Sequence, residues 1–471
     1  MNISTISLAL GLSFSFLTPA AIAQDRSEHE QFAREIYEKV ISIRTARGQE
    51  KVPEMVEYLA DQFKSAGFTD EDIQITDYDS DGEHTQGLIV YYRADGTSKH
   101  KPVVILGHMD VVDALAADWE RPPFTLTEED GYFFGRGTMD NKYGITNIAS
   151  TFIRLKKEGW KPNRDFVIVL SGDEETGMVS TRAQADYVAE NIDPEFVLNT
   201  DAGGGVLSDD GAPLFYAVQG AEKTYATFEL TVANPGGHSS RPRSDNAIYD
   251  LADALRKIKE YKFPVRYSDL TLASFKASGA VTPGALGKAM RDFSENPKNK
   301  KAIAILRDDP ETVGTTGTTC VATMLRAGHA ENALPQSATA TVNCRIFPGV
   351  GIAEVEEKLK KVVDNEAVQF ELMTDVTESP ESKLRPEVMA AIEASLSARG
   401  LNTPIIPYME SGGTDGMHYR IKGYDTVAIS GAWMKPSDIF AHGLNERLAV
   451  DAFYGGLDHW YVIMKELAGD E

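Results

Sequence analysis

The first residues able to do chemistry lie in Gly107-His108-Met109-Asp110-Val111-Val112. They follow the apolar run Val103-Val104-Ile105-Leu106, which predicts a short buried strand. A neutral imidazole is a good ligand for a divalent metal, and a carboxylate two residues away can hold its second N–H and fix the tautomer. Alone, such a pair reads as a hydrogen-bonded histidine at a strand end. Four further stretches change that reading. Gly135-Arg136-Gly137-Thr138-Met139-Asp140-Asn141 precedes a helical pattern. Ser171-Gly172-Asp173-Glu174-Glu175-Thr176-Gly177 follows the apolar run Phe166–Leu170. Asn199-Thr200-Asp201-Ala202-Gly203 follows Phe196-Val197-Leu198, and Ala441-His442-Gly443-Leu444-Asn445-Glu446-Arg447 precedes the last helix. Three of these five stretches leave short apolar strands, so their side chains can converge at one sheet edge. Open α/β sheets bind ligands at that edge. Two divalent ions close together need several carboxylates, because each cancels charge and one can bridge.

These five stretches, in this order, resemble the M20 family of metallopeptidases, and the resemblance spans nearly the whole chain after its first two dozen residues. Asp113 stands where the family usually has a proline; no expected ligand departs from the pattern. The run Thr316–Gly349 and the charged helical stretch before it are most similar to the carboxypeptidase S branch. The resemblance implies two divalent ions per chain. His108, Asp140 and Asp201 would hold one, and Asp140, Glu175 and His442 the other, with Asp140 as the bridge. Three protein ligands per ion leave a position open for water, as catalytic zinc requires. Zinc is expected from the mixed imidazole and carboxylate ligands, although cobalt and manganese suit such sites. Glu174, beside a ligand, is the expected general base, and Asp110 the partner that orients His108.

The family also implies a lid. In Pro235-Gly236-Gly237-His238-Ser239-Ser240, His238 matches a residue that stabilises the oxyanion, often across a dimer interface. Arg345, Asn332 and the turn Ser411-Gly412-Gly413-Thr414-Asp415 match positions that hold a substrate carboxylate. Arginine can clamp a carboxylate through two parallel bonds, and the backbone N–H groups of a glycine-rich turn can face an anion. The implied activity is an exopeptidase, carboxypeptidase or dipeptidase acting on small peptides or N-acyl amino acids with a free carboxylate. An aminoacylase-type deacylase with a defined acyl group is the alternative. A non-catalytic periplasmic binding protein on the same fold is a further one; a missing ligand or base would favour it, and neither is missing.

The elements that must position these residues are legible in outline. With 471 residues, the chain is too long for one simple core. Alternating strand and helix patterns predict an α/β layer fold, which the resemblance implies is a catalytic domain with a central mixed sheet flanked by helices. From Thr224 onward the order becomes strand, helix, strand, strand, helix, the pattern of an α+β two-layer sandwich, which the resemblance implies is a lid inserted into the catalytic domain. The expected division is 24–220 for the first catalytic segment, 221–364 for the lid and 365–471 for the second catalytic segment.

Residues 1–23 carry no charged side chain and end in Ala21-Ile22-Ala23, an expected signal-peptide cleavage site before Gln24. The mature protein is therefore expected in the periplasm or outside the cell, without a stable membrane anchor. Cys320 and Cys344 are the only cysteines; a disulfide and two buried thiols are both open. Asp plus Glu number 71 against 47 Lys plus Arg, a net charge of −24 that argues against nucleic acid as a partner. A homodimer through the lid is the expected assembly.

Overall fold

The computed structural model describes residues 26–94, 96, 100–373 and 375–468. The expected signal peptide, 1–23, lies outside the described residues.

The catalytic domain is built on a ten-stranded mixed sheet. Its centre is a parallel group of Phe166–Ser171, Val103–His108, Phe196–Asn199 and Thr426–Ala428. Every residue of these four strands is buried, which suits strands covered on both faces by helices. The hairpin Ile73–Ser80 and Glu83–Tyr92 extends one side. Pro213–Glu222, Gly204–Leu207 and Trp433–Met434 extend the other, with Ile405–Glu410 also paired to Pro213–Glu222. Helices Glu28–Ser42, Lys142–Lys157, Pro386–Ala398 and Val450–Ala468 contribute to the main apolar core.

The lid is a four-stranded antiparallel sheet in the order Thr319–Ala327, Ser337–Ile346, Thr224–Ala233, Val368–Leu372. Two helices supply its second layer. Ala247–Glu260 buries Ala247, Leu251, Ala254 and Ile258, and Ile352–Val363 buries Val355, Leu359 and Val363. Steps of three and four residues put each set on one helical face. The charged stretch between them folds as three helices, Asp269–Val281, Gly284–Glu295 and Lys300–Asp308, around Phe275, Met290, Phe293 and Leu306.

Two expectations are corrected or resolved here. The second catalytic segment expected from the sequence, 365–471, includes the strand Val368–Leu372. That strand pairs instead with Thr224–Ala233, so the lid runs past residue 364 to at least Leu372. Five residues of alternating type do not say which sheet they join. Cys320 and Cys344 sit directly opposite on neighbouring strands and form a disulfide. Among the described residues, no helix is long and apolar enough to cross a membrane.

Candidate metal centre and substrate cleft

The parallel strands deliver three of the five stretches to one edge. His108 is the last residue of its strand, opposite Ser171. The turn holding Glu174 and Glu175 leaves the second strand, and Asp201 follows Asn199 of the third. Close packing sets their depth: a Cβ on Gly144 would lie 2.6 Å from Thr200 Oγ1 and 2.7 Å from Asn141 Oδ1. Asn141 Nδ2 donates to Asp201 Oδ1 at 2.9 Å, and the Thr200 hydroxyl donates to Asn141 Oδ1 at 2.9 Å.

The side chains meet in two triads, each with candidate ligand atoms within 4.8 Å of one another: His108, Asp140 and Asp201, then Asp140, Glu175 and His442. His108 Nε2 lies 2.9 Å from Asp140 Oδ1 and 3.4 Å from Asp201 Oδ1. On the other side His442 Nε2 lies 3.1 Å from Asp140 Oδ2 and 2.9 Å from Glu175 Oε1. Asp140 thus faces both imidazoles with different oxygens. His108 Nδ1 is 3.1 Å from the Asp110 carbonyl, which leaves Nε2 to the cluster. The Asp110 carboxylate accepts the backbone N–H groups of Glu174 and Glu175, both at 3.0 Å. It therefore aims the turn that carries both glutamates.

The electrostatics show a demand for positive charge. Burial opposes ionisation of Asp140, yet the imidazoles of His108 and His442 hold its carboxyl well below the usual range. Burial, with the charge of Asp140, pushes Asp201 up to about 6. Hydrogen bonds to Asp140 and Glu175 raise His442 to about 10. Burial also pushes Glu174 well up, and only 8% of it is exposed. Packed carboxylates whose charge is met only by protonated imidazoles fit a pair of divalent cations: the donor set is hard oxygen plus imidazole nitrogen, suited to zinc-like ions.

The substrate-side residues group differently. Alternation along Ser337–Ile346 buries Cys344 and turns Arg345 to the opposite face. There Arg345 donates to the Ser411 carbonyl and lies over the Tyr225 ring, 4.5 Å from its centroid. Lid and glycine-rich turn are thereby joined. The turn itself is bonded within the chain. The N–H groups of Ser411 and Gly412 donate to Glu410 Oε1 at 2.7 and 3.4 Å, so the anion they face is the chain's own carboxylate. The Thr414 hydroxyl donates to Glu222 at 2.6 Å and accepts from Asn199 at 3.0 Å, which gives it a structural bond set. Gly413 lines an interdomain cleft of about 370 Å³ with Thr176, Gly177, Lys223, Tyr225 and Met417. His238 belongs to a two-stranded ribbon of the lid and Asn332 immediately precedes its second strand; Ser239 N–H donates to the Asn332 carbonyl at 3.1 Å. His238 Nδ1 lies 2.8 Å from the Ser240 hydroxyl, and His238 is exposed. Among the described residues, neither His238 nor Asn332 is hydrogen-bonded to the acid cluster.

Three further groups about the site carried no role in the sequence reading. Glu446 is fully buried and ties the His442 stretch to the Asp140 stretch. Asp415 accepts from the Ser171 and Thr181 hydroxyls at 2.8 and 3.0 Å, and burial pushes it up to about 7. Lys223, where the chain passes from catalytic domain to lid, donates to the Gly317 carbonyl at 2.9 Å; burial pulls it down to about 8. Glu446 and Asp415 stand in stretches already marked by their neighbours. Lys223 has no such neighbour, and only the fold brings it to the cleft.

Similarity to known proteins agrees with this geometry. At 30% identity over 74% of this chain and 69% of its own length, the N-fatty-acyl-amino acid synthase/hydrolase PM20D1 of Xenopus tropicalis is a relative. A Dictyostelium discoideum protein described as "Probable carboxypeptidase S-like 2" is 26% identical over 78% of this chain and 71% of its own. The M20 metallo-carboxypeptidase Sso-CP2 of Sulfolobus solfataricus shares the fold, with a TM-score of 0.69 and 19% identity over 94% of this chain and 99% of that one. Residues 104–466 match the description of peptidase family M20/M25/M40, so the chain belongs to that family of metallopeptidases.

Proposed function

We propose that this chain is a two-metal amide hydrolase, zinc-loaded, that cleaves N-acyl amino acids or small peptides bearing a free carboxylate. The observation that carries the reading is the paired triad sharing Asp140, with the buried Glu174 held beside Glu175. Divalent ions held by His108, Asp140 and Asp201, and by Asp140, Glu175 and His442, would supply a Lewis acid for the amide carbonyl and make water acidic enough to act near neutral pH.

The chain's own residues do the rest. Burial raises the proton affinity of Glu174 toward the range in which a carboxylate can accept a proton and later release it to a leaving amine. Asp110 keeps Glu174 and Glu175 in fixed relation through their backbone N–H groups. Arg345 offers a guanidinium beside the Ser411 turn for the substrate carboxylate, and Lys223 lines the interdomain cleft with Tyr225, whose ring lies under Arg345. Asn332 and His238 are assigned to the carboxylate and the oxyanion. A dimer through the lid supports that assignment, because both residues stand at an exposed ribbon and would serve the partner's cleft. Support for the dimer is the outer lid strand Thr319–Ala327, whose Val321, Met324 and Leu325 are 59%, 51% and 64% exposed. The mature chain is assigned to the periplasm or the exterior, on the strength of the sequence of residues 1–23.

The test is elemental analysis of the mature protein together with hydrolysis of a matched panel: N-acyl amino acids of graded chain length, dipeptides, and their C-terminal amides. Two ions per chain, chelator-sensitive release of free amino acid and poor turnover of the amides are expected. Preference within the panel separates deacylase from peptidase. A protein that binds no metal under any loading condition would overturn the mechanism.

A further inference from the structure

The two triads are held in place by very different means. His108 ends a fully buried strand and Asp201 follows another, both rooted in the middle of the central sheet. His442 lies on a loop, is exposed and has φ +62°, a backbone conformation uncommon outside glycine. Something other than the sheet must hold that loop at the distance at which His442 reaches Asp140 and Glu175.

Glu446, four residues on, provides the link. Its carboxylate is fully buried, and one oxygen, Oε1, accepts from Met139 N at 2.7 Å and Asp140 N at 3.1 Å. The other, Oε2, accepts from Gly137 N at 3.1 Å and Arg136 Nη1 at 2.6 Å. The Glu446 carbonyl accepts from Gly135 N at 3.0 Å. Arg136 closes the ring by donating Nη2 to the Gly443 carbonyl at 3.2 Å, next to His442. Both partners are almost fully buried, with side chains 3% and 0% exposed. A charge pair in such surroundings is costly when one member is removed, and here the bonds fill the stretches on either side of the second triad.

We propose that Glu446, with Arg136, is a positioning residue that selectively sets occupancy of the Asp140–Glu175–His442 site. It fixes the His442 loop, which carries a ligand of that site alone, to the Asp140 stretch; Asp140 is common to both sites, whereas His108 and Asp201, the other ligands of the first, stand at the ends of buried sheet strands. The inference rests on the two-metal reading above. Groups that orient metal ligands without touching the ion typically change affinity by about 10–100-fold when altered.

The test is cobalt(II) titration of metal-free protein, followed by visible absorbance and by elemental analysis after dialysis. Wild-type protein should take up two equivalents; if it binds none, the metal reading fails before this one is reached. In Glu446→Gln one equivalent should bind as in wild type and the other about 10–100-fold more weakly. Arg136→Lys, which keeps a cation beside Glu446 but cannot reach Gly443 in the same way, should show a smaller loss confined to the same equivalent. Asn445→Ala, which removes the tie from Asn445 Oδ1 to Glu120 N and places alanine at φ +54° in the same loop, serves as a control for loop strain without loss of the Glu446 bonds. Thermal unfolding of the metal-free variants separates positioning from general damage. Equal weakening of both equivalents, or wild-type affinity for both in Glu446→Gln, would overturn the proposal. So would loss of both equivalents together with a lowered metal-free melting point.

Discussion

At the scale of single residues, Glu174 and Glu175 show how neighbours are separated into roles. Glu175 points at His442, while Glu174 is buried with a raised proton affinity. Asp110 binds the backbone of both, so changing one side chain leaves the frame of the other intact. Glu174→Gln should therefore retain both metals and lose turnover by about 10²–10⁴-fold, the usual contribution of a positioned acid or base. Normal activity in a metal-replete variant would remove Glu174 from the mechanism. The legibility of these residues followed from where they stand. His108, Glu174, Glu175 and Asp201 leave apolar strands, so pattern and chemistry coincide in the sequence. Thr414 shows the opposite case. Its bonds to Glu222 and Asn199 depend on partners 192 and 215 residues away, and no local pattern announces them.

At the scale of elements, period settled type better than membership. The strand Thr224–Ala233 and the helix Ile352–Val363 coincide with their patterns because alternation and a one-sided apolar stripe report local geometry. Val368–Leu372 was equally legible as a strand, but its sheet was not, since pairing with Thr224–Ala233 is a long-range choice. Another long-range contact gives a prediction. Helix Val450–Ala468 carries His459, fully buried against helix Pro386–Ala398. Its Nδ1 lies 2.8 Å from the Ser395 hydroxyl and its Nε2 3.3 Å from the Tyr216 hydroxyl. Burial, then nearby Arg399, pulls His459 down to about 3, while the unfolded chain keeps the ordinary value near 6.5. Below pH 6.5 the unfolded state binds the proton more readily. The stability that neutral His459 provides is thus complete above pH 6.5 and is lost as pH falls toward 3, by up to about 1.4 kcal/mol per pH unit. Urea unfolding of metal-free wild type and His459→Gln checks this, because the titration of the metal ligands is common to both. The variant should be less stable at pH 7.5, yet lose less stability than wild type between pH 6.5 and 5. Parallel declines would show that His459 does not titrate as its burial requires.

At the scale of the whole molecule, His108 and Asp201 stand at the end of the central sheet, and the residues proposed to meet the substrate, Arg345 and His238, stand on the lid. Arg345 joins the lid to the Ser411 turn within one chain, but among the described residues the His238 imidazole bonds only with Ser240 of its own loop. The outer lid strand leaves Val321, Met324 and Leu325 in solvent, an unpaired edge of the kind that proteins cover. A second copy packed two-fold on that edge would put each His238 on the far side of an interface, available to the other subunit's metal centre. If each site is completed in this way, two inactive variants should repair one another. His238→Ala subunits retain Glu174, and Glu174→Gln subunits retain His238. In a mixed dimer, one site then has an intact glutamate from one chain and an intact histidine from the other, while the second site lacks both. Random mixing makes about half of the dimers mixed, each with one competent site, so about one quarter of wild-type activity should return. Mixed dimers isolated on two different affinity tags should hold about half. Leu325→Arg in both chains should abolish the rescue by separating the subunits, while leaving metal content unchanged. Mixed dimers without activity would place His238 in its own subunit's site or outside the reaction, and rescue that survives Leu325→Arg would move the interface away from the Thr319–Ala327 edge.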